Sequence, residues 1–294
     1  MKNLKVNSRE YKIMLDRKKF MGDRAELIVQ CEKFWSIFEK AIVKTTTKTT
    51  GTINDVTKQR WITFFDTKDH LLNNNRYIFR KRIDLLEEST ETTFKFRHPD
   101  RFIAQDRDMS AKKKDKGESK FEEDIKALFK KPSFMSLYSF STKQSVSNSK
   151  SFETLKDIDK LYPDLSKKLS GYDSQIPIEI VNNFHSLELV IEGGSFYIGK
   201  DYDEEIECAL VVWYKGKDTI AKNQKLIKKV TKPAVVEFSF KYKDDKSEYS
   251  GQLAQDAYDI LETLQYDRSL KKWVNSKSLT KTASVYQSKK EKAK

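Results

Sequence analysis

Phe64-Phe65-Asp66-Thr67-Lys68-Asp69, then Tyr77-Ile78-Phe79-Arg80-Lys81-Arg82, then Thr93-Phe94-Lys95-Phe96-Arg97, is the stretch that decides how this chain of 294 residues is read. Successive side chains of a strand point to opposite faces. If residues 77–85 and 92–98 are strands, Arg80 and Arg82 share one face and Phe79 and Ile83 the other. Lys95 and Arg97 likewise oppose Phe94 and Phe96. Two neighbouring segments thus carry paired cations on one side and large apolar groups on the other.

The same alternation recurs outward in both directions. Glu10 and Lys12 share a face opposite Tyr11 and Ile13, Glu122 and Asp124 oppose Phe121 and Ile125, and Glu237 and Ser239 oppose Phe238 and Phe240. An antiparallel sheet with one wet face alternates in this way too, but its wet face is an undirected mixture. Here cations gather on some strands and carboxylates on others. Such a face suits phosphate oxygens on its basic side and a hard divalent cation on its acidic side. Closing the sheet would turn that face inward and leave the apolar face for helices to cover.

The remaining segments supply those helices. In 23–44, Leu27, Ile28, Cys31, Phe34, Trp35, Phe38 and Ile42 recur at helical spacing, and Asp23 with Glu26 makes a cap pair. A second helix is expected over 251–265. Further strands are expected at 60–66, 139–146, 187–197 and 206–214, with a short one at 281–286. Residues 44–51 read as a polar loop and 107–116 as an exposed charged one. Residues 147–183 read as a helical insertion interrupted at Pro163 within a single domain spanning 1–294, and 287–294 as a disordered basic tail.

Composition removes several classes of function. Cys31 and Cys208 are the only cysteines, and neither has a histidine at ligand spacing, which excludes a zinc site and a disulfide scaffold. No apolar run approaches the roughly 20 residues of a spanning helix, and the charged opening segment is unlike a signal peptide, so a cytoplasmic protein without membrane contact is expected. The net charge of +13 is uneven: residues 268–294 hold nine Lys/Arg against one acid. That surplus suits phosphate-rich partners in general, and equally a solvated tail.

Together these segments resemble the CYTH family, the triphosphate tunnel metalloenzymes. Ser8-Arg9-Glu10-Tyr11-Lys12 is similar to its Glu-x-Glu-x-Lys strand, and residues 64–69 to its Tyr-Tyr-Asp-Thr-Pro-Asp segment. The basic strands, the acidic strand around Glu122, Lys143, Glu237 before a helix and Lys281 follow in the family's order. The resemblance implies an α+β fold built on an eight-stranded antiparallel β-barrel, a tunnel with a charged interior and helices packed outside. It implies phosphate contacts from Lys12, Arg80, Arg82, Lys95, Lys143 and Lys281, with Arg97 a same-face addition. Glu10, Glu122 and Glu237 would hold Mg²⁺ or Mn²⁺, with Asp124 on their face, and Lys12 and Glu10 would serve catalysis. The implied activity is metal-dependent hydrolysis of a triphosphate carried by a small molecule, a nucleotide or an RNA 5′ end. Adenylate cyclase activity is a further possibility within the family.

The departures bear on the metal. Ser8 stands where the family's first acid would be and Ser239 where the second late acid would be, and a hydroxyl is a weaker ligand than a carboxylate. Glu205 and Glu207 offer an intact Glu-x-Glu instead. A basic tunnel with few acids would bind a polyphosphate without cleaving it, which makes a non-catalytic binding module the alternative to the hydrolase. Gly194 to Lys200 fits the start of a phosphate-binding loop, but Asp201 replaces its Ser/Thr and Phe196, Tyr197 and Ile198 alternate as in a strand.

Overall fold

A computed structural model describes residues 4–46, 48–113, 117–198, 204–216, 232–243, 250–277 and 280–287. All of the expected 287–294 tail beyond Gln287 and the end of the Gly194–Lys200 stretch lie outside the described residues.

Nine strands form one sheet that closes on itself: β1 (Ser8–Met14), β2 (Lys48–Asp66), β3 (Tyr77–Asp84), β4 (Thr90–His98), β5 (Gly117–Ala127), β6 (Phe134–Ser145), β7 (Glu179–Ile198), β8 (Glu204–Gly216) and β9 (Val235–Lys243). Around the ring the order is β1-β5-β6-β4-β3-β2-β7-β8-β9. The count differs from the expected eight, and the sheet is not wholly antiparallel, because β1 runs parallel to β5 with Glu10 beside Asp124. Every other neighbouring pair is antiparallel.

Three apolar clusters explain why the ring faces as it does. The largest lies outside it, where α1 (Arg24–Ile42) and α6 (Gly251–Tyr266) cover Tyr11, Phe238, Phe240 and Leu210, while the short α2 (Leu71–Asn74) and α3 (Arg101–Gln105) follow β2 and β4. The Asp23–Glu26 capping box starts α1 as its sequence requires. A second outer cluster joins Phe79, Phe94 and Phe96 to Phe152, Leu155, Ile158, Tyr162 and Leu165, so residues of the 147–183 segment pack on the outer face of β3 and β4. That segment contains two short helices, α4 (Leu155–Asp159) and α5 (Leu165–Lys168), on either side of Pro163, and β7 already begins at Glu179. The phenylalanines beside the basic residues are therefore core, which removes a base-stacking role for them.

The third cluster sits inside the ring. Met14, Ile62, Phe64, Ile78, Val190, Val211 and Trp213 share the parity of the charged residues on their strands, and they pack together with Val285 of α7 (Lys281–Tyr286). Two expectations are corrected here. Residues 281–286 form a helix rather than a closing strand: Thr280 caps it by accepting from the Ala283 N–H, and Val285 is fully buried. The expected loop at 44–51 is instead partly strand, because β2 starts at Lys48 and pairs with the end of β7. Gly51 permits that crossing. Its φ is +65°, and a Cβ there would lie 1.9 Å from the Gly193 carbonyl oxygen.

Candidate functional site

The inward parity of the strands gathers charge into one cavity of about 280 Å³, at the small end of the roughly 300–1,000 Å³ usual for small-molecule sites. Ten Lys/Arg and seven Asp/Glu line it. The sequence-expected Glu10, Lys12, Arg80, Arg82, Lys95, Arg97, Glu122, Asp124, Glu237 and Lys281 all belong to that lining. Lys143 does not: it is ion-paired to Glu118 at 2.9 Å near the ring's exposed edge. Of the alternative late pair, Glu207 lines the cavity, whereas Glu205 accepts a hydrogen bond from Ser195 Oγ at 2.6 Å.

Asp124 is the hub. Its Oδ1 lies 2.6 Å from Lys12 Nζ, and its Oδ2 lies 3.2 Å from Arg97 Nη2 and accepts from Ser139 Oγ at 3.1 Å. Burial alone would raise its carboxyl, but Lys12, Lys95 and Arg97 overcome this and hold it well below the usual carboxylate range. Lys12 also reaches Glu10 Oε2 at 2.8 Å, so one ammonium bridges two carboxylates. Burial opposes the Lys12 charge, but Asp124, Glu10 and Glu237 raise its pKa above the lysine range.

The opposite wall holds cations in excess. Arg80 makes no ion pair among the described residues, and its buried Nε has no hydrogen-bond partner; the Nε atoms of Arg82 and Arg97 are orphaned in the same way. Burial, and then the charge of Arg82, press the Arg80 guanidinium well below its ordinary value. Arg82 is partly balanced by Glu91 at 3.1 Å. Lys95 is 3.7 Å from Glu122 and 4.0 Å from Asp124, and burial brings its ammonium down to about 8 against the pull of Asp124. Half-buried, mutually repelling cations with unused donors carry a cost that a bound anion would relieve.

Two residues that sequence reasoning overlooked complete this wall. Arg60 donates through Nε at 2.7 Å and through Nη2 to Glu188, which also accepts from Trp213 Nε1 at 2.8 Å. Burial would raise the Glu188 carboxyl, but Arg60 and Arg82 draw it down to about 2. The signal for Glu188 was present in the alternation of Leu187, Leu189 and Ile191 against Glu188, Val190 and Glu192.

The four carboxylates expected to hold a metal do not fit a preformed divalent cage. Among the described residues no three acidic or other ligating side chains converge. Each candidate already has a basic partner: Glu10 and Asp124 share Lys12, Glu122 faces Lys95, and Glu237 lies 2.7 Å from Lys281. Ser8 donates to Glu122 at 3.2 Å instead of adding an acid.

No family model and no curated protein matches the chain. Several solved structures resemble it loosely, among them the following. A Hippeastrum protein described as a candidate adenylyl cyclase with a dominant triphosphatase activity is 9% identical, with 97% of this chain and 96% of that one covered and a TM-score of 0.42. A candidate adenylate cyclase from Vibrio parahaemolyticus is 9% identical over 89% and 88%, at 0.31. Another from Bacillus halodurans is 12% identical over 89% and 94%, at 0.32. Overlays this loose transfer neither a residue nor an activity, so what the cavity does rests on its own side chains. No helix among the described residues is long and apolar enough to cross a membrane.

Proposed function

We propose that this protein binds the triphosphate group of a small molecule, a nucleotide or an RNA 5′ end inside the ring, in the manner that its resemblance to the CYTH family implies. The observation that carries this reading is the set of half-buried guanidinium groups of Arg80, Arg82 and Arg97 lining one cavity, each with an unpartnered Nε, where ten Lys/Arg face seven Asp/Glu. Planar guanidinium groups match phosphate oxygens in geometry and charge. Lys95, Lys12 and Lys281 add point charges around them. The test is calorimetric titration with tripolyphosphate, ATP and thiamine triphosphate against the parent protein and Arg80→Ala plus Arg82→Ala. Binding that survives the double substitution unchanged rejects the reading.

A second reading, hydrolysis of the held triphosphate, is favoured by the grouping of Lys12, Lys95 and Arg97 around the single carboxylate of Asp124, three cations against one acid. Phosphoryl transfer needs mainly position and electrostatic stabilisation of the charge that builds on the phosphoryl oxygens, and these cations would provide both. Phosphate release with Mg²⁺ or Mn²⁺, compared with Glu10→Gln and Lys95→Ala, decides it. Activity indifferent to both substitutions would reject catalysis in this cavity, and formation of cyclic AMP from ATP would mark a cyclase instead.

A further inference from the structure

A divalent ion in a polyphosphate site neutralises charge between carboxylates and ligand. In this cavity a side chain already stands in that position. Glu10 and Asp124 are partners across the parallel β1–β5 pair, so their side chains rise next to one another from adjacent strands. Lys12, two residues along β1 on the same face, places Nζ 2.8 Å from Glu10 and 2.6 Å from Asp124. Its partner across to β9 is Ser239, a neutral residue, so no third carboxylate comes from that strand at this level. A second lysine, Lys281, pairs with the single buried carboxylate of Glu237 at 2.7 Å. A hydroxyl is a poor ligand for a hard cation, whereas two carboxylates satisfy an ammonium well.

We infer that the ammonium of Lys12 is the cavity's built-in counter-cation, occupying the position between Glu10 and Asp124 that a divalent ion would otherwise take, so that a polyphosphate binds without any metal ion. The inference rests on the polyphosphate reading above. It accounts for the two serines and for the basic partner on every candidate acid. The ligand meets guanidinium groups directly on one wall and a neutralised carboxylate pair on the other.

The experiment is calorimetric titration of tripolyphosphate into the full chain, once in EDTA and once in excess Mg²⁺. Because Mg²⁺ also neutralises the free ligand, the expected affinity in Mg²⁺ is equal to or below that in EDTA. A gain of about tenfold or more on adding Mg²⁺ overturns the inference while leaving the polyphosphate reading in place. Absence of binding in both solutions overturns the two together. Free Mn²⁺, followed by its electron paramagnetic resonance signal with no polyphosphate present, is expected to stay free with the parent protein and to be taken up by Lys12→Ala. Uptake by the parent overturns the inference whether or not the variant folds. A folded Lys12→Ala that binds tripolyphosphate in EDTA as the parent does also overturns it; the expected loss is about tenfold or more.

Discussion

Arg60 and Glu188 are register partners on β2 and β7, and both guanidinium hydrogen bonds end on the same carboxylate oxygen, Oε1, which leaves Oε2 to the indole N–H of Trp213. The carboxylate is 2% exposed, so its charge has little help from water. Removing it strands Arg60 among Arg80 and Arg82. Glu188→Gln is therefore expected to lower the unfolding free energy by about 3 kcal/mol, the usual loss when one partner of a buried pair is deleted. Urea denaturation at pH 7 measures it. The folded carboxyl lies near 2, below its ordinary value of 4.5. Its contribution is thus fully present above about 4.5 and is lost as the pH falls toward 2. The deficit of the variant should shrink over the same window.

Arg80 is the reverse case, a half-buried cation with no ion pair among the described residues. Its Nε is orphaned and Arg82 repels it. Arg80→Met should leave the thermal midpoint unchanged or raise it by a few degrees, because an unpaired charge leaves the interior. Tripolyphosphate affinity should fall by about 2 kcal/mol, the scale of a charge-assisted hydrogen bond. A midpoint that drops sharply would mean that Arg80 serves the fold and not a ligand.

Lys95 gives the site a pH dependence. Burial brings its ammonium to about 8, with the Asp124 attraction only partly compensating. A bound polyanion favours the charged form, so binding is fully supported below about 8 and weakens as the pH rises through it. The limit for one proton is a tenfold loss per pH unit. Titrations at pH 7, 8 and 9 should trace that decline in the parent. Lys95→Arg, which keeps its charge throughout, should give a flat profile in the same window. A parent profile as flat as the variant's would remove Lys95 from the ligand contacts.

Much of this site is legible in the sequence. The parity of Arg80, Arg82, Lys95, Arg97, Glu122, Asp124 and Glu237 put them on one face, and the ring turns that face inward. Period-2 patterning does not report how strands are ordered, so the parallel β1–β5 contact was hidden from it, and the count of eight came from the family resemblance and not from the strand pattern. Nor does it report how far along a strand the cavity reaches. Lys143 has a correct parity expectation, yet it lies beyond the cavity and pairs with Glu118. Glu188 was missed because it sits between Leu187 and Leu189, where one charged residue is a weak signal, and Arg60 because it follows Lys58 and Gln59 and reads as the end of a polar stretch. The apolar filling at one end was masked for a related reason. Ile62, Phe64 and Trp213 share the parity of charged residues, and only closure of the ring places them against one another. The sequence also made residues 281–286 look like a strand, because Thr282, Ser284 and Tyr286 alternate with Val285 in a segment too short to establish a helical period.

That short helix carries the last prediction. Val285 of α7 is fully buried against the inward apolar residues, while Asn182 donates to the carbonyls of Val285 and Tyr286, each at 3.0 Å. The Tyr286 hydroxyl donates to Asp66 at 2.9 Å, and Asp66 in turn accepts from the Thr67, Leu72 and Asn73 amides. The helix is thus fastened both to the interior and to the turn after β2, and it brings Lys281 to Glu237. A carboxylate at position 285 would have no partner there, and burying it uncompensated costs several kcal/mol, more than so short a helix gains from its other contacts. Val285→Asp should therefore release α7 while the ring, held by strand pairing, stays folded. Hydrogen exchange at amides 281–287 should accelerate and a dye that reports exposed apolar surface should bind. Tripolyphosphate affinity should fall as Lys281 is withdrawn. Val29→Asp, on the exposed side of α1 at 44% exposure, is the control and should change none of these. If Val285→Asp unfolds the whole ring while Val29→Asp keeps it, α7 is part of the ring's own core and not an attachment to it.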